Sequence, residues 1–142
     1  MSYFNSQEQE NIKQAIQTAE HLSSGEIRVC IEKKCHGDPL HRAAYFFKKL
    51  KMYETQERNG ILIYLAHEDQ KFAIFGDQGI HSKIGHDFWD HAKKEMLKHF
   101  KSHKILAGVL EAIQLTGDQL KTYFPYISGK ENELSDDIYD KG

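Results

Sequence analysis

The strongest constraint on the fold is a run of seven residues, 60–66, that reads Gly-Ile-Leu-Ile-Tyr-Leu-Ala and has no charged position. A strand with one face in water alternates apolar and polar residues, whereas a strand that is apolar throughout is covered on both faces. Such coverage requires other elements above and below the sheet. We therefore expect this run to be a buried strand of an α/β domain, with helices packed against it.

Two further segments show strand patterns on either side of that run. Isoleucine and valine alternate with more polar residues over 26–32, which predicts a first strand. Residues 71–75 predict a third strand, which a turn of hairpin length at 67–70 joins to the central one. The hairpin makes the second and third strands antiparallel. A helix between the first and second strands makes these two parallel, with a right-handed crossover.

Helical spacing of apolar residues predicts four helices around these strands. Ser6 and Gln9 fit a capping box at the start of the first helix, and Asp38 with Pro39 fits the start of the second. Two more helices follow the third strand. The order is helix, strand, helix, strand, strand, helix, helix, which gives a small mixed β-sheet covered by helices.

The chain length of 142 residues is that of one domain. Apolar residues make up 39 %, which is too many for a disordered chain. The formal net charge of −2 gives no overall attraction to nucleic acid or to anionic membranes. No apolar run reaches the ~20 residues that a membrane-spanning helix needs. We therefore expect a globular domain that neither binds nucleic acid nor inserts into a membrane.

The composition changes after Pro125, where the chain becomes acidic and poor in apolar residues. This change predicts a domain over 1–124 and an acidic C-terminal tail over 125–142. The apolar residues through which the tail can dock are Leu134, Ile138 and Tyr139.

Cysteine usage and the N-terminal sequence bear on the compartment. Cys30 and Cys35 are the only cysteines, which is fewer than small disulfide-stabilised secreted domains carry. The first residues show no basic region followed by an apolar stretch, so they do not read as a secretory signal. We expect a cytoplasmic protein.

The strand directions bring distant polar residues to one end of the sheet. Because the third strand runs opposite to the first two, its carboxyl end lies beside their amino ends. Glu26, Asn59 and Asp77 stand at those ends, and Asp87 at the start of the next helix can close over them. Carboxylate, amide and backbone oxygens suit a hard cation, and calcium accepts about 6–8 of them at flexible geometry, whereas magnesium keeps more water. Each residue also has an ordinary alternative as a turn, a helix cap or a solvated edge residue.

Other chemistries have less support in the sequence. The segment Gly-Asp-Gln-Gly at 76–79 lacks the lysine of a phosphate-binding loop, and its aspartate repels phosphate unless a metal bridges the two. The nine histidines include no His-Glu-x-x-His pattern. His99 and His103 are four residues apart, but a helix boundary expected near Ser102 separates them. Most of the histidines therefore read as surface residues.

Five short segments occur together along the chain. They are Ser-Gly-Glu-Ile at 24–27, Ala-Ala-Tyr-Phe-Phe at 43–47, Arg-Asn-Gly-Ile-Leu-Ile-Tyr at 58–64, Phe-Ala-Ile-Phe-Gly-Asp-Gln-Gly-Ile at 72–80 and Phe-Trp at 88–89. Each piece is short, and the combination is what is specific. In combination they resemble the TPM-domain family, over roughly residues 6–124.

The resemblance implies a fold and a choice of functions. The family fold is a three-layer α/β/α sandwich. Some members are described as acid phosphatases, some bind divalent cations, notably calcium, and others act through protein partners at membranes. Short members that lack an anchor and have an acidic C-terminus look like bacterial proteins of the Bacteroidetes type. Carried over position by position, the metal ligands that the resemblance implies are Glu26, Asn59, Asp77 and Asp87.

We therefore expect a domain that binds a divalent cation, calcium or else magnesium, and serves as an interaction or regulatory module with a protein partner. The alternative is a metal-dependent acid phosphatase that acts on phosphomonoesters. In that case Asp77 or Asp87 would act as base or nucleophile, and Arg58 would steady the phosphate charge. The lack of a clustered basic set for phosphate favours the binding module.

Overall fold

The computed structural model describes residues 3–126 and 138–140, and its elements follow the predicted order with two additions, α3 and β4. The helices are α1 (Ser6–His21), α2 (Pro39–Lys49), α3 (Gln78–His81), α4 (His86–Lys101) and α5 (Ile105–Tyr123). The strands are β1 (Glu26–Glu32), β2 (Gly60–Ala66), β3 (Lys71–Gly76) and β4 (Tyr139–Asp140).

The sheet has the strand order β3-β2-β1-β4. β1 runs parallel to β2, and β2 runs antiparallel to β3, as the connections predict. Every residue of β2 is buried, which confirms that the apolar run at 60–66 is covered on both faces. The short β4 adds a parallel strand at the other side of β1.

The sheet is the middle layer of a three-layer α/β/α sandwich. Side chains of β1 and β2 alternate between its two faces. Val29 and Ile63 belong to one core, which α1, α4 and α5 cover, whereas Leu62 and Tyr64 belong to the other, which α2 covers. The mixed α/β fold and its three layers are therefore confirmed.

Two of the predicted helix ends are confirmed, and one is wrong by a residue. Asp38 caps α2 by accepting from the Leu40 amide at 2.8 Å. α4 ends just before Ser102. The capping box of α1 is formed by Asn5 and Glu8 instead of Ser6 and Gln9: Asn5 Oδ1 accepts from the Glu8 amide at 2.8 Å, and Glu8 Oε1 accepts from the Asn5 amide at 2.9 Å. Asparagine caps as well as serine does, so the residue at which the helix starts decides which of the two is the cap.

Part of the expected acidic tail lies outside the described residues, including Leu134. Ile138 packs against the core on the α1 side, and Tyr139 packs against the core on the α2 side. Pro125 forms an isolated bridge with Ser23. The division into 1–124 and 125–142 stays a prediction. Within the described parts of the chain, no helix is both long and apolar enough to cross a membrane.

Candidate functional site

The candidate site lies where the amino ends of β1 and β2 meet the carboxyl end of β3. Glu26 is paired with Gly60 in the β1–β2 register, and the Glu26 amide donates to the Asn59 carbonyl at 3.4 Å. The Asp77 amide donates to the Gly60 carbonyl at 3.0 Å. The structure thus brings Glu26, Asn59 and Asp77 to one end of the sheet, where the strand directions place them.

Asp87 belongs to α4 and not to the strand ends that carry these three residues. It is exposed in the first turn of α4, where the partial positive charge of the helix end favours a carboxylate. Among residues 3–126 and 138–140, no hydrogen bond or ion pair joins Asp87 to Glu26, Asn59 or Asp77. Its role as a metal ligand therefore stays a prediction.

Asn59 is the most enclosed polar side chain at this end of the sheet, with none of its surface exposed. Its backbone amide donates to Thr55 Oγ1 at 3.2 Å, and its Nδ2 donates to Ser24 Oγ at 3.1 Å. Its Oδ1 is buried and has no hydrogen-bond donor in the described part of the chain. A buried acceptor left unsatisfied costs about 1–3 kcal/mol. This oxygen can therefore accept from a water molecule or coordinate a cation.

Ser24 and Glu57 belong to the same cluster, although the sequence reasoning did not single them out as ligands. Ser24 Oγ donates to Glu57 Oε2 at 2.5 Å while it accepts from Asn59. Ser24 is buried, whereas Glu57 is exposed. Ser24 lies two residues before Glu26, and Glu57 lies two residues before Asn59. Polar residues at the entry to each strand are the signal that points to them.

Asp77 is held in a two-fold ion pair by Arg58. The Nε and Nη2 atoms of the guanidinium lie 2.7 and 2.9 Å from the two carboxylate oxygens. The hydrogen bond to Asp77 raises the pKa of Arg58 above its usual value. Asp77 Oδ1 also accepts from the Gln78 amide at 2.7 Å and so caps α3. The charge of Asp77 is therefore already balanced, but by a side chain that is 40 % exposed and can be displaced.

The backbone around this ion pair is tightly folded. Arg58 has a φ of 51°, in the left-handed region that residues with a Cβ seldom adopt. The Gly79 amide donates to the Arg58 carbonyl at 2.9 Å. A Cβ at Gly79 would lie 2.1 Å from the Glu57 carbonyl oxygen, so only glycine fits there. The segment before β2 and the turn after β3 are thereby fixed against each other.

The fit of a cation depends on oxygens other than carboxylates. Within residues 3–126 and 138–140, no three His, Cys, Asp or Glu side chains form a group that could hold a metal ion. This end of the sheet adds a buried amide oxygen on Asn59 and a hydroxyl on Ser24 to the carboxylates of Glu26 and Glu57. Calcium and magnesium accept such oxygen ligands, whereas zinc favours nitrogen and sulfur. The residue types therefore fit a hard cation.

A second polar cluster lies at the other end of the parallel strands, against α2. Arg42 Nε and Nη2 lie 2.7 and 3.0 Å from the Glu32 carboxylate, and the Tyr64 hydroxyl donates to the same carboxylate. Burial, and then the hydrogen bond to Glu32, raises the pKa of Tyr64 above its usual range. The sequence alone does not reveal this cluster, because Tyr64 reads as one more apolar residue of β2. Arg42 and Tyr64 thus donate to one carboxylate, which links α2 to β1 and β2.

The sequence profile of the TPM domain matches residues 1–119 of the chain. The chain belongs to the TPM-domain family. Its fold is similar to that of the BA42 protein from the psychrophilic bacterium Bizionia argentinensis, solved by NMR. The two share 38 % sequence identity over 97 % of this chain and 95 % of that one, with a TM-score of 0.90.

More distant solved structures share the fold with this TPM domain. The N-terminal domain of the cg2496 protein from Corynebacterium glutamicum has 16 % identity and a TM-score of 0.68, over 94 % of this chain and 84 % of that one. The N-terminal domain of a protein from P. gingivalis has 17 % identity and a TM-score of 0.65, over 85 % and 78 % of the two chains. No curated protein matches the chain.

Proposed function

We propose that this TPM domain binds a divalent cation, calcium in preference to magnesium, at the end of the sheet where Glu26, Asn59 and Asp77 meet. The observation that carries the proposal is the buried Asn59 Oδ1, which has no donor in the described part of the chain. A cation at this oxygen would remove the cost of an unsatisfied acceptor. It would also lie at the strand ends that carry Glu26 and Asp77.

Calcium suits the site better than magnesium because of the variety of its oxygens. Calcium takes about 6–8 oxygens at flexible geometry, including amide and backbone carbonyl oxygens. Magnesium requires near-octahedral geometry and keeps several of its waters. Asp77 becomes a ligand only when Arg58 leaves its carboxylate, so cation binding and the Arg58–Asp77 ion pair compete. Asp87 would complete the ligand set from the first turn of α4.

Calcium titration of the full chain, followed by the NMR shifts of the backbone amides, tests the proposal. Millimolar calcium should move the amides of Glu26, Gly60, Asp77 and Gly79. Asp77→Asn should weaken binding at least about tenfold, because it removes a charged ligand, while asparagine still caps α3. Unmoved amides at this end of the sheet would rule the site out.

Two further variants sharpen the titration. Asp118→Asn changes an exposed carboxylate on α5 and should leave binding unchanged. Asp87→Asn tests the candidate ligand on α4, which no hydrogen bond or ion pair of the described residues joins to the other three. Weaker binding by Asp87→Asn would make Asp87 a ligand, and wild-type binding would remove it from the set.

The alternative function is a metal-dependent acid phosphatase. The specific observation in its favour is Arg58, whose exposed guanidinium could bind a phosphoryl oxygen at the same end of the sheet. Against it, Arg58 and the candidate base Asp77 occupy each other in a two-fold ion pair. Turnover of a generic phosphomonoester with added calcium or magnesium decides between the two. Equal trace rates for wild type and Asp77→Ala would exclude the phosphatase.

The proposed role is that of an interaction or regulatory module with a protein partner, in the cytoplasm. Cation binding at the strand ends would further restrict the segment before β2 and the turn after β3, which the Gly79 amide already joins. The cytoplasmic location is supported by Cys30 and Cys35, which are both buried and form no disulfide with each other, as suits a reducing compartment.

A further inference from the structure

A groove runs along the outer edge of β3, away from the candidate cation site. Its volume is about 420 Å³. The floor is formed by residues 72–75 of β3, and one wall by residues 38–40 at the start of α2. The opposite wall is formed by His81, His86, Trp89, Asp90 and Lys93. The groove thus lies between the two helical layers, with the edge of the sheet at its base.

The floor of the groove carries backbone groups that face away from the sheet. The Asp77 amide donates to the Gly60 carbonyl at 3.0 Å, and this pair continues the β2–β3 register by one residue beyond Ile61 and Gly76. Because hydrogen-bonded pairs alternate along antiparallel strands, Ala73 and Phe75 bond to β2, whereas Phe72 and Ile74 direct their N–H and C=O groups outward. No residue of the described chain bonds to these outward groups.

We propose that this groove binds an extended peptide segment of a partner protein, which adds to β3 as a further strand of the sheet. Strand addition is a known mode of peptide recognition, in which backbone hydrogen bonds supply affinity and side-chain pockets supply specificity. β3 is six residues long, and its outward-facing residues, Phe72, Ile74 and Gly76, can bond to a segment of about five residues.

The walls select a single strand over a second copy of this domain. An open sheet edge commonly pairs with the same edge of another copy. Here the start of α2 lines the groove on one side of β3, and α4 lines it on the other side. A second copy would have to bring its own α2 and α4 into the same space, whereas a lone extended segment has no layers to clash.

The lining gives the chemistry of the segment. Leu40 on one wall is 47 % exposed, and Phe72, Phe75 and Trp89 supply aromatic surface. Trp89 also carries a buried Nε1–H that has no acceptor among the described residues. The segment should therefore have apolar side chains that pack on this surface.

Charge on the walls adds a basic residue to that description. Asp38 and Asp90 are exposed on opposite walls, and among the described residues Lys93 is the one lysine or arginine that lines the groove. With the two histidines neutral, the lining has one more negative than positive charge. We therefore expect the segment to alternate apolar residues with lysine or arginine.

The test uses the full chain and a blocked heptapeptide that alternates valine and lysine. At saturating peptide, hydrogen exchange at the Phe72 and Ile74 amides should slow at least about tenfold, while the amides of Ala73 and Phe75, already bonded to β2, should change little. The Trp89 indole N–H resonance should also shift. Asp90→Lys should weaken binding about fivefold through loss of one exposed ion pair and gain of a repulsive one.

Two control peptides separate strand addition from other contacts. N-methylation of alternate peptide groups removes the donors that β3 needs, so this peptide should not protect the two amides. Replacement of lysine by glutamate should weaken binding. Equal binding of the N-methylated peptide, or protection that appears with rising protein concentration alone, would overturn the proposal, the latter in favour of pairing between copies.

Discussion

At the scale of single residues, the Asp77 carboxylate already accepts hydrogen bonds from two partners, and a cation would have to share the carboxylate with them or displace them. Its carboxylate pairs with Arg58 and also caps α3. A cation and the Arg58 guanidinium would bind the same two carboxylate oxygens of Asp77. Asn59 differs, because its Oδ1 has no donor in the described part of the chain. We therefore expect Asn59 Oδ1 to coordinate a cation without rearrangement, and the Asp77 carboxylate to coordinate it only after Arg58 moves away.

This competition predicts that removal of the Arg58 charge strengthens calcium binding. Arg58→Asn is the suitable change, because asparagine tolerates the left-handed backbone at φ 51°. Calorimetric titration should show calcium binding tighter by about three- to tenfold. Lys51→Asn is the matched control, since Lys51 also has a positive φ, of 56°, and loses the same charge. Unchanged affinity in Arg58→Asn would show that Asp77 is not a ligand.

The buried Tyr64 predicts how stability depends on pH. Burial and the Glu32 hydrogen bond raise the pKa of Tyr64 in the folded state, whereas the unfolded chain keeps a value of about 10. The folded state therefore holds this proton more tightly. The resulting stability is fully present below about pH 10 and falls as the pH rises above that value.

Tyr64→Phe should therefore lower the free energy of unfolding at pH 7 by about 1–2 kcal/mol, through the lost hydrogen bond. Above pH 10 its stability should fall less steeply than that of wild type. Urea unfolding at pH 7 and at several values above 10 measures both effects. Tyr45→Phe, at a half-exposed position on α2, should keep the wild-type slope. If the stability of Tyr64→Phe fell with pH as steeply as that of wild type, Tyr64 would ionise as readily in the folded state as in the unfolded state.

At the scale of elements, the long pieces of the fold follow from apolar patterns, and the short ones do not. The run at 60–66 predicts β2 because its length of seven residues and its lack of charge are typical of a strand that is covered on both faces. α3 has four residues and β4 has two, so neither is long enough to show a period. Their positions are set by tertiary contacts, such as Tyr139 against Phe46 with ring centroids 5.7 Å apart.

The candidate site also has one part that the sequence predicts and another part that it does not. Strand directions alone place Glu26, Asn59 and Asp77 together, since they depend only on the connections between strands. The Arg58–Asp77 ion pair and the Ser24–Glu57 hydrogen bond depend on loop conformation, which no periodicity encodes.

The start of α1 gives a prediction for a single element. Asn5 and Glu8 form the capping box there, although Ser6 and Gln9 have the same spacing. Asn5→Ala should lower the free energy of unfolding by about 1 kcal/mol, because the Glu8 amide loses its acceptor. Ser6→Ala, one residue into the helix, should change it by less than about 0.5 kcal/mol. Denaturant unfolding of both variants checks this, and the reverse order would favour Ser6 as the cap.

At the scale of the whole molecule, the two ends of the sheet serve different purposes. One end holds the candidate cation ligands, and the other holds the Arg42–Glu32–Tyr64 cluster that fixes α2 to the sheet. The two edges differ as well. β4 covers the edge of β1, whereas no strand of the described chain covers β3. The open edge is therefore the side on which a partner strand can be added.

The covered edge predicts that the domain extends beyond residue 124. Tyr139 is paired with Cys30 in the β1–β4 register, and Ile138 and Tyr139 pack against the two cores. Removal of residues 127–142 should therefore lower the free energy of unfolding by about 1–3 kcal/mol, through loss of two partly buried apolar side chains. Removal of residues 141–142 alone is the control and should have no measurable effect. Wild-type stability after the longer truncation would instead favour a domain that is complete at residue 124, with β4 contributing nothing to its stability.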